Sequence, residues 1–293
     1  MSYDALLLVV TAAFLHASWN FLLKKCGGGL GILTLSAIVA TVVLTPFSLF
    51  LIWRGFPLPW GIWATLGMLA GSGLLHMVYF LLLDRAYRSA GSSGDLSVVY
   101  PLARATGPLL TIVAATLFFG ERMSALAVAG AVLIGFSALV LTGDPRKLLS
   151  KHARSGIGFA LLCGCMIASY TLWDKQAVAL FLIPPVVFDW GANVARVVML
   201  VPYTRWQAPT AMAAAWRDHR SSVIAIGVMS PLSYILVLTA MVTTPVSYVA
   251  PARELSILFA ALLGAHMLKE GDVTRRTIAA VGMVLGISAL ALG

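Results

Sequence analysis

DLSVVYPLARATGPLLTIVAATLFFGER, from Asp95 to Arg122, and PVSYVAPARELSILFAALLGAHMLKE, from Pro245 to Glu270, are two passes at one pattern. In each, a Tyr and a Pro precede an Ala-Arg pair, an apolar run follows, and a Glu ends the run 17 residues after the Arg: Arg104 to Glu121, Arg253 to Glu270. A guanidinium set inside an apolar helix costs about 2.5 to 3.5 kcal/mol on insertion scales, so its default reading is functional. Two at matched positions make accident a poor explanation.

The rest of the 293-residue chain supplies the apolar setting. It is 60% hydrophobic and 11% charged, with a mean hydropathy of +0.94, and its apolar runs of about 18 to 24 residues suffice to cross a hydrocarbon core. The expected fold class is an all-α membrane protein, because a helix satisfies its own backbone in lipid. A net charge of +9 does not signal nucleic acid here, since the basic residues form short clusters between apolar runs. Cys26, Cys163 and Cys165 are three in number and scattered, which implies no disulfide or metal framework. The first apolar run has no basic stretch before it and is expected to be a retained helix.

Ten transmembrane helices are expected, at roughly 4–23, 31–53, 60–83, 96–119, 123–142, 156–174, 184–204, 221–240, 244–267 and 274–292. The segment GDPRKLLSKHARS, Gly143 to Ser155, divides them into a first five-helix repeat (1–143), a basic cytoplasmic linker (144–155) and a second five-helix repeat (156–293). Loops after the odd-numbered spans carry 14 Lys and Arg residues, among them Lys24, Lys25, Arg85, Arg146, Lys147, Arg205 and Arg275; the opposite side carries Arg54, Arg122 and Lys175. Positive charge stays inside, so both termini are expected on the non-cytoplasmic side of an inner (plasma) membrane. Of the 20 basic residues three remain for the membrane interior: Arg104, Arg196 and Arg253.

The halves echo each other beyond the opening pattern. An offset of 151 lays Ala17-Ser18-Trp19-Asn20 and Lys24 on Ala168-Ser169-Tyr170-Thr171 and Lys175, and an offset of 149 lays Arg104 on Arg253. An odd number of spans per half inverts the second copy, the plan of many secondary transporters, with the substrate near the midplane. Arg104, seven residues into its span, is then roughly 10 Å deep from one side, and Arg253 roughly 13 Å from the other. The two approach the middle together. Pro101, Pro108, Pro245 and Pro251 free backbone carbonyls, which is tolerated where protein or water can satisfy them.

Other spans present polar or aromatic groups at helical spacing. They are His16, Trp19 and Asn20 on span 1, Ser72, His76 and Tyr79 on span 3, Tyr100 on span 4, Asp189, Asn193 and Arg196 on span 7, Ser230 and Tyr234 on span 8, and Tyr248 and Glu254 on span 9. Two readings stand for these groups. In one they wall a central cavity that binds a small-molecule substrate; in the other each is a satisfied helix contact, with Arg104 or Arg253 paired to Glu254 or snorkelling, and Asp189 and Arg196 neutralising each other along one helix. Trp53, Trp60, Trp63 and Tyr203 sit at span ends and read as interfacial belt residues. No phosphate-binding loop, metal cluster or nucleophile elbow occurs, so no enzyme activity and no cofactor is expected.

HASWNFLLK at the end of span 1, a proline-containing span 4 ending in LFFGE and a proline-containing span 9 ending in Lys269-Glu270 resemble the drug/metabolite transporter (DMT) superfamily in its EamA-type ten-helix form. The His-Ala-Ser-Trp-Asn opening and the paired Ala-Arg look most like members associated with phosphonate-utilisation loci. The resemblance covers nearly the whole chain and implies two inverted five-helix repeats around a central cavity, working by alternating access. The expected cargo is a small organic anion or zwitterion, phosphonate-like or amino-acid-like. Arg104 and Arg253 would hold its anionic group, Asp189 or Glu254 would meet an amine or carry a coupling proton, and Trp19, Tyr79, Tyr100 and Tyr234 would line the wall. The alternative is an exporter of amino acids or amphipathic cations with the arginines in structural ion pairs.

Overall fold

The computed structural model describes the backbone of residues 1–89, 96–142, 154–268 and 273–293. Side chains at 84–89, 96–101, 141–142, 154–157, 261, 264–268, 273 and 275–276 lie outside the described residues, as do all atoms of the remaining segments. Tyr100, Glu270 and nearly all of the 144–155 linker therefore fall outside them. Only Arg154 and Ser155 of that linker are described, and they already belong to a helix.

Among the described residues the chain is all helical. The elements are α1 (Tyr3–Lys25), α2 (Leu30–Arg54), α3 (Gly61–Ser89), α4 (Leu96–Phe119), α5 (Ala125–Thr142), α6 (Arg154–Ala179), α7 (Pro185–Gln207), α8 (Ala211–Thr243), α9 (Val246–Ala252), α10 (Leu255–Leu268) and α11 (Val273–Leu292). Within the described residues six are long and apolar enough to cross a membrane: α1, α2, α7, α8, and the stretches Gly61–Leu83 of α3 and Leu102–Phe119 of α4. The apolar parts of α5 and α11, Ala125–Val140 and Thr277–Leu292, are shorter.

Local chemistry sets the ends. Ser2 caps α1 by accepting from the Ala5 amide at 3.2 Å, Asp4 sits in its first turn, and Lys24 and Lys25 sit in its last, each charge matched to the helix dipole. Gly27, Gly28 and Gly29 then all take positive φ, a turn that residues with a Cβ enter at a cost, and the chain reverses into α2.

Two expectations need correction, those for spans 9 and 8. Span 9 is not one helix: α9 ends at Ala252 and α10 starts at Leu255, leaving Arg253 and Glu254 in a break. Pro251 supplies no amide, and the next bonds run over three residues, Glu254 to Pro251, Ser256 to Arg253 and Ile257 to Glu254. Span 4, which has two prolines of its own, stays continuous through Pro108. Span 8 begins ten residues earlier than the apolar run, because Ala211 to Asp218 forms a helical lead-in joined by a kink at His219, with φ −137° and ψ 24°.

The helices form one bundle. α1 packs on α8 and α10, α6 packs on α3 and α4, α2 packs on α8 and α7, α3 also packs on α7, and α5 lies along α11. The last pair touches through glycines: a Cβ on Gly130 would lie 2.5 Å from the Gly286 carbonyl oxygen, and one on Gly286 would lie 2.8 Å from that of Gly130. The main core joins Val9, Ile134, Phe188, Leu238, Met241 and Met283. The outer surface is apolar too, with Phe47, Phe118, Phe136 and Leu285 more than half exposed. A surface of that kind suits lipid.

Candidate functional site

The centre of the bundle holds three arginines and three carboxylates, drawn from α4, α6, α7 and the break between α9 and α10. Arg104, on α4, is only 8% exposed. Its Nε donates to Glu254 Oε2 at 3.1 Å and its Nη2 donates to the Ser256 hydroxyl at 2.9 Å. The helix break brings that partner into reach, since it turns Glu254 and Ser256 toward α4.

Arg196, on α7, reaches its carboxylate through a bridge. Its Nη2 donates to Asn193 Oδ1, and Asn193 Nδ2 donates to Asp189 Oδ2 at 2.9 Å. The three residues lie at i, i+4 and i+7 on one helix face, so the self-neutralising network expected as an alternative does form, with Asn193 as its link.

Arg253, partly buried in the break, is handled differently. Its guanidinium carbon lies 5.4 Å from the centre of the Tyr234 ring, and among the described residues its side chain has no carboxylate in direct contact. The Tyr234 hydroxyl in turn donates to Asp174 Oδ2. Three couples result. One is direct (Arg104 with Glu254), and two run through a neutral side chain (Arg196 with Asp189 through Asn193, Arg253 with Asp174 through Tyr234).

Aromatic rings surround the third couple. His76 stacks on Tyr170 at 4.2 Å and meets Tyr234 edge-on at 5.6 Å, and Tyr79 meets Tyr170 edge-on at 5.9 Å. The His76 Nδ1 is 2.9 Å from the Ser72 carbonyl, which can only accept, so Nδ1 is the donor there. His16 lies within electrostatic reach of both Arg104 and Arg253, as does Tyr170.

Several expected residues do other work. Trp19 lies edge-on to His16 at 5.0 Å but packs with Ile32, Ala215 and Val223, and its indole nitrogen has no partner among the described residues. Asn20 donates back to the His16 carbonyl on its own helix at 2.8 Å. Tyr248 is a correction: its hydroxyl turns to the Gly293 carbonyl at 3.4 Å, at the chain end and away from the charged centre. Trp53 and Trp63 are 80% and 82% exposed, as belt residues are.

Sequence reasoning missed Asp174, Tyr170 and Ser256. Asp174 stands at the last position of an expected span beside Lys175, which made it look like part of a charged end; it is in fact 0% exposed. Tyr170 is the repeat partner of Trp19, and that offset would have nominated it. The Glu121 that ends the LFFGE run also gains a meaning: its two oxygens accept from the Val246 and Ser247 amides at 3.0 and 2.9 Å, capping the start of α9.

An all-helical bundle with an apolar outer surface and paired charges at its centre is the build of an integral membrane protein. Residues 4–143 match the model of the EamA-like transporter family. In fold, 29 solved chains match. One of them, a crystal structure of a protein 17% identical in sequence, superposes with a TM-score of 0.78 over 100% of this chain and 97% of its own. No curated protein matches this sequence.

Proposed function

We propose that this protein is a secondary transporter that moves a small organic anion or zwitterionic metabolite, phosphonate-like or amino-acid-like, across the inner membrane by alternating access. The observation that carries the reading is the inequality of the three arginines. Arg104 is held by Glu254 and Ser256, and Arg196 by Asn193 through its Nη2 while its buried Nε has no partner among the described residues. Arg253, at the helix break, lies over an aromatic ring and has no carboxylate in direct contact among the described residues. A guanidinium so placed has its hydrogen-bonding edges to offer, and these suit a carboxylate, phosphate or phosphonate oxygen. The His76, Tyr79, Tyr170 and Tyr234 rings supply the apolar wall beside it.

Helix packing supports the inverted five-helix repeat, with 1–143 and 156–293 as its units. Exchanging α1 with α6, α2 with α7, α3 with α8, α4 with the α9–α10 pair and α5 with α11 turns the α1–α8 contact into α6–α3, α2–α8 into α7–α3, and α4–α6 into the α10–α1 contact, all of which occur. Rocking of one unit on the other then moves the access from side to side, with both termini on the non-cytoplasmic face.

The second reading is an exporter of amino acids or amphipathic cations with the arginines in structural ion pairs, and the Arg104–Glu254 bond favours it. A thermal-shift screen separates the two. Ligands that bind only the folded state raise the Tm by mass action, so anions and zwitterions stabilise wild type and lose their effect in Arg253→Gln under the first reading. Stabilisation by organic cations alone, unchanged in that variant, supports the second.

A further inference from the structure

Asp174 is the buried acid that the substrate reading leaves unused. Its side chain is wholly enclosed on α6; Oδ2 accepts from Tyr234, Oδ1 makes no close hydrogen bond among the described residues, and the Ser72 hydroxyl of α3 stands as a weaker donor to the carboxyl group. Thr171, one turn earlier on the same helix face, carries a second buried oxygen without a partner. The groups facing Asp174 are Tyr170 on its own helix, Ser72 and His76 on α3, Tyr234 on α8, Asp189 on α7 and Arg253 at the break. Arg253 lies across the Tyr234 ring, so no cation touches the open oxygen. The neighbouring Lys175 points elsewhere: its ammonium donates to the Met241 and Thr244 carbonyls at 2.6 and 3.1 Å.

That lysine belongs to a closure. It ties α6 to the end of α8, while Glu121 ties the end of α4 to the start of α9, and both straps lie at the same end of the bundle. Asp174 sits five residues inside the end of α6, about 7 to 8 Å along the axis. It is thus buried near the end of the bundle where the straps lie. A carboxylate with one oxygen lacking a close hydrogen bond is costly to bury in this way, whereas a carboxyl group with a proton on that oxygen is not. A metal cation would ask for six or more oxygens, and only two unpartnered ones lie on this face among the described residues.

We infer that Oδ1 of Asp174 binds a proton whose presence is linked to closure at the Glu121 and Lys175 end. The proton comes from water on that side while the straps are open, forms the new O–H bond at Oδ1, and returns to water when the site is next exposed; no other bond changes. This rests on the transporter reading for its purpose but not for its test.

The test uses the purified full-length protein in lipid nanodiscs, without substrate. Infrared difference spectra across a pH titration report protonated carboxyl groups, and hydrogen exchange at the Val246 and Ser247 amides, corrected for the intrinsic rate, reports opening at Glu121. A carboxyl band that vanishes as pH rises, is lost in Asp174→Asn and is displaced in Tyr234→Phe is expected. Exchange at the two amides should quicken with pH in wild type, and that dependence should be lost in Asp174→Asn, which stays at the slow, low-pH level. A titrating band and exchange profile unchanged in Asp174→Asn would overturn the inference. So would exchange that follows sodium in place of potassium at fixed pH. Should Asp174→Asn fail to fold, an unmoved band in Tyr234→Phe overturns it alone. Failure of the transporter reading shows separately, as absence of ligand stabilisation and of flux.

Discussion

Replacing Arg104 with Gln separates a strut from a ligand anchor. Arg104 and Glu254 have side chains only 9% and 5% exposed, and the guanidinium also holds the Ser256 hydroxyl. Gln is too short and uncharged, so the variant leaves a buried carboxylate without its hydrogen-bond donor. Breaking a buried pair from one side costs about 3 to 5 kcal/mol, and at about 2 to 4 °C per kcal/mol for a chain approaching this size the Tm falls by roughly 6 to 20 °C. The assay is thermal unfolding in detergent, followed by tryptophan fluorescence, for Arg104→Gln, Glu254→Gln and the pair together. Because two apposed amides satisfy each other, the double variant should recover most of the loss, giving a large coupling energy. An Arg104→Gln protein melting within a degree or two of wild type would refute this reasoning. A double variant no more stable than the worse single would do so as well.

Arg253→Gln should behave in the opposite way: its ring contact is worth about 0.5 to 2 kcal/mol, so stability changes little, while affinity for an anionic or zwitterionic ligand, measured by the thermal-shift response, falls at least about tenfold with the loss of a charge-assisted bond. Glu121→Ala removes the cap of α9, and at about 0.5 to 2 kcal/mol for a cap exchange at the Val246 and Ser247 amides should quicken by roughly 2- to 30-fold. Gly130→Leu drives a side chain into the Gly286 carbonyl and should separate α5 from α11, seen as lost folded protein by size exclusion, whereas Gly135→Ala, with only a Leu109 methyl at 4.0 Å, should be tolerated. A single cysteine at Tyr3, in a background with Cys26, Cys163 and Cys165 replaced, should react with a membrane-impermeant maleimide added outside intact cells; reaction only after lysis would reverse the proposed topology.

Much of this was legible in the chain because its signals are local. Apolar run length gave the helical membrane fold, and three basic residues left over from the loops pointed to the charged centre. What could not be read was partner choice, which depends on rotation and depth across helices far apart in sequence. Glu254 lies next to Arg253 in the chain yet binds Arg104, 150 residues away, because the break after Pro251 redirects it. Tyr248 shares its segment with Arg253, but one turn of α9 suffices to aim it at the chain end. Asp174 was hidden by its neighbour: a lone acid beside Lys175 at a span end reads as surface until packing places α3 and α8 over it. The proline pattern was equally ambiguous, since spans 4 and 9 carry two prolines each and only one of them breaks.

The most direct measurement is flux in proteoliposomes, loaded against radiolabelled glutamate, glycine and methylphosphonate in turn, for wild type, Arg253→Lys and Arg253→Gln. Saturable wild-type uptake of at least one of these solutes is expected, reduced in the Lys variant and brought to the level of protein-free vesicles in the Gln variant, with all three proteins equally folded. Uptake by a folded Arg253→Gln protein equal to that of wild type would contradict the account.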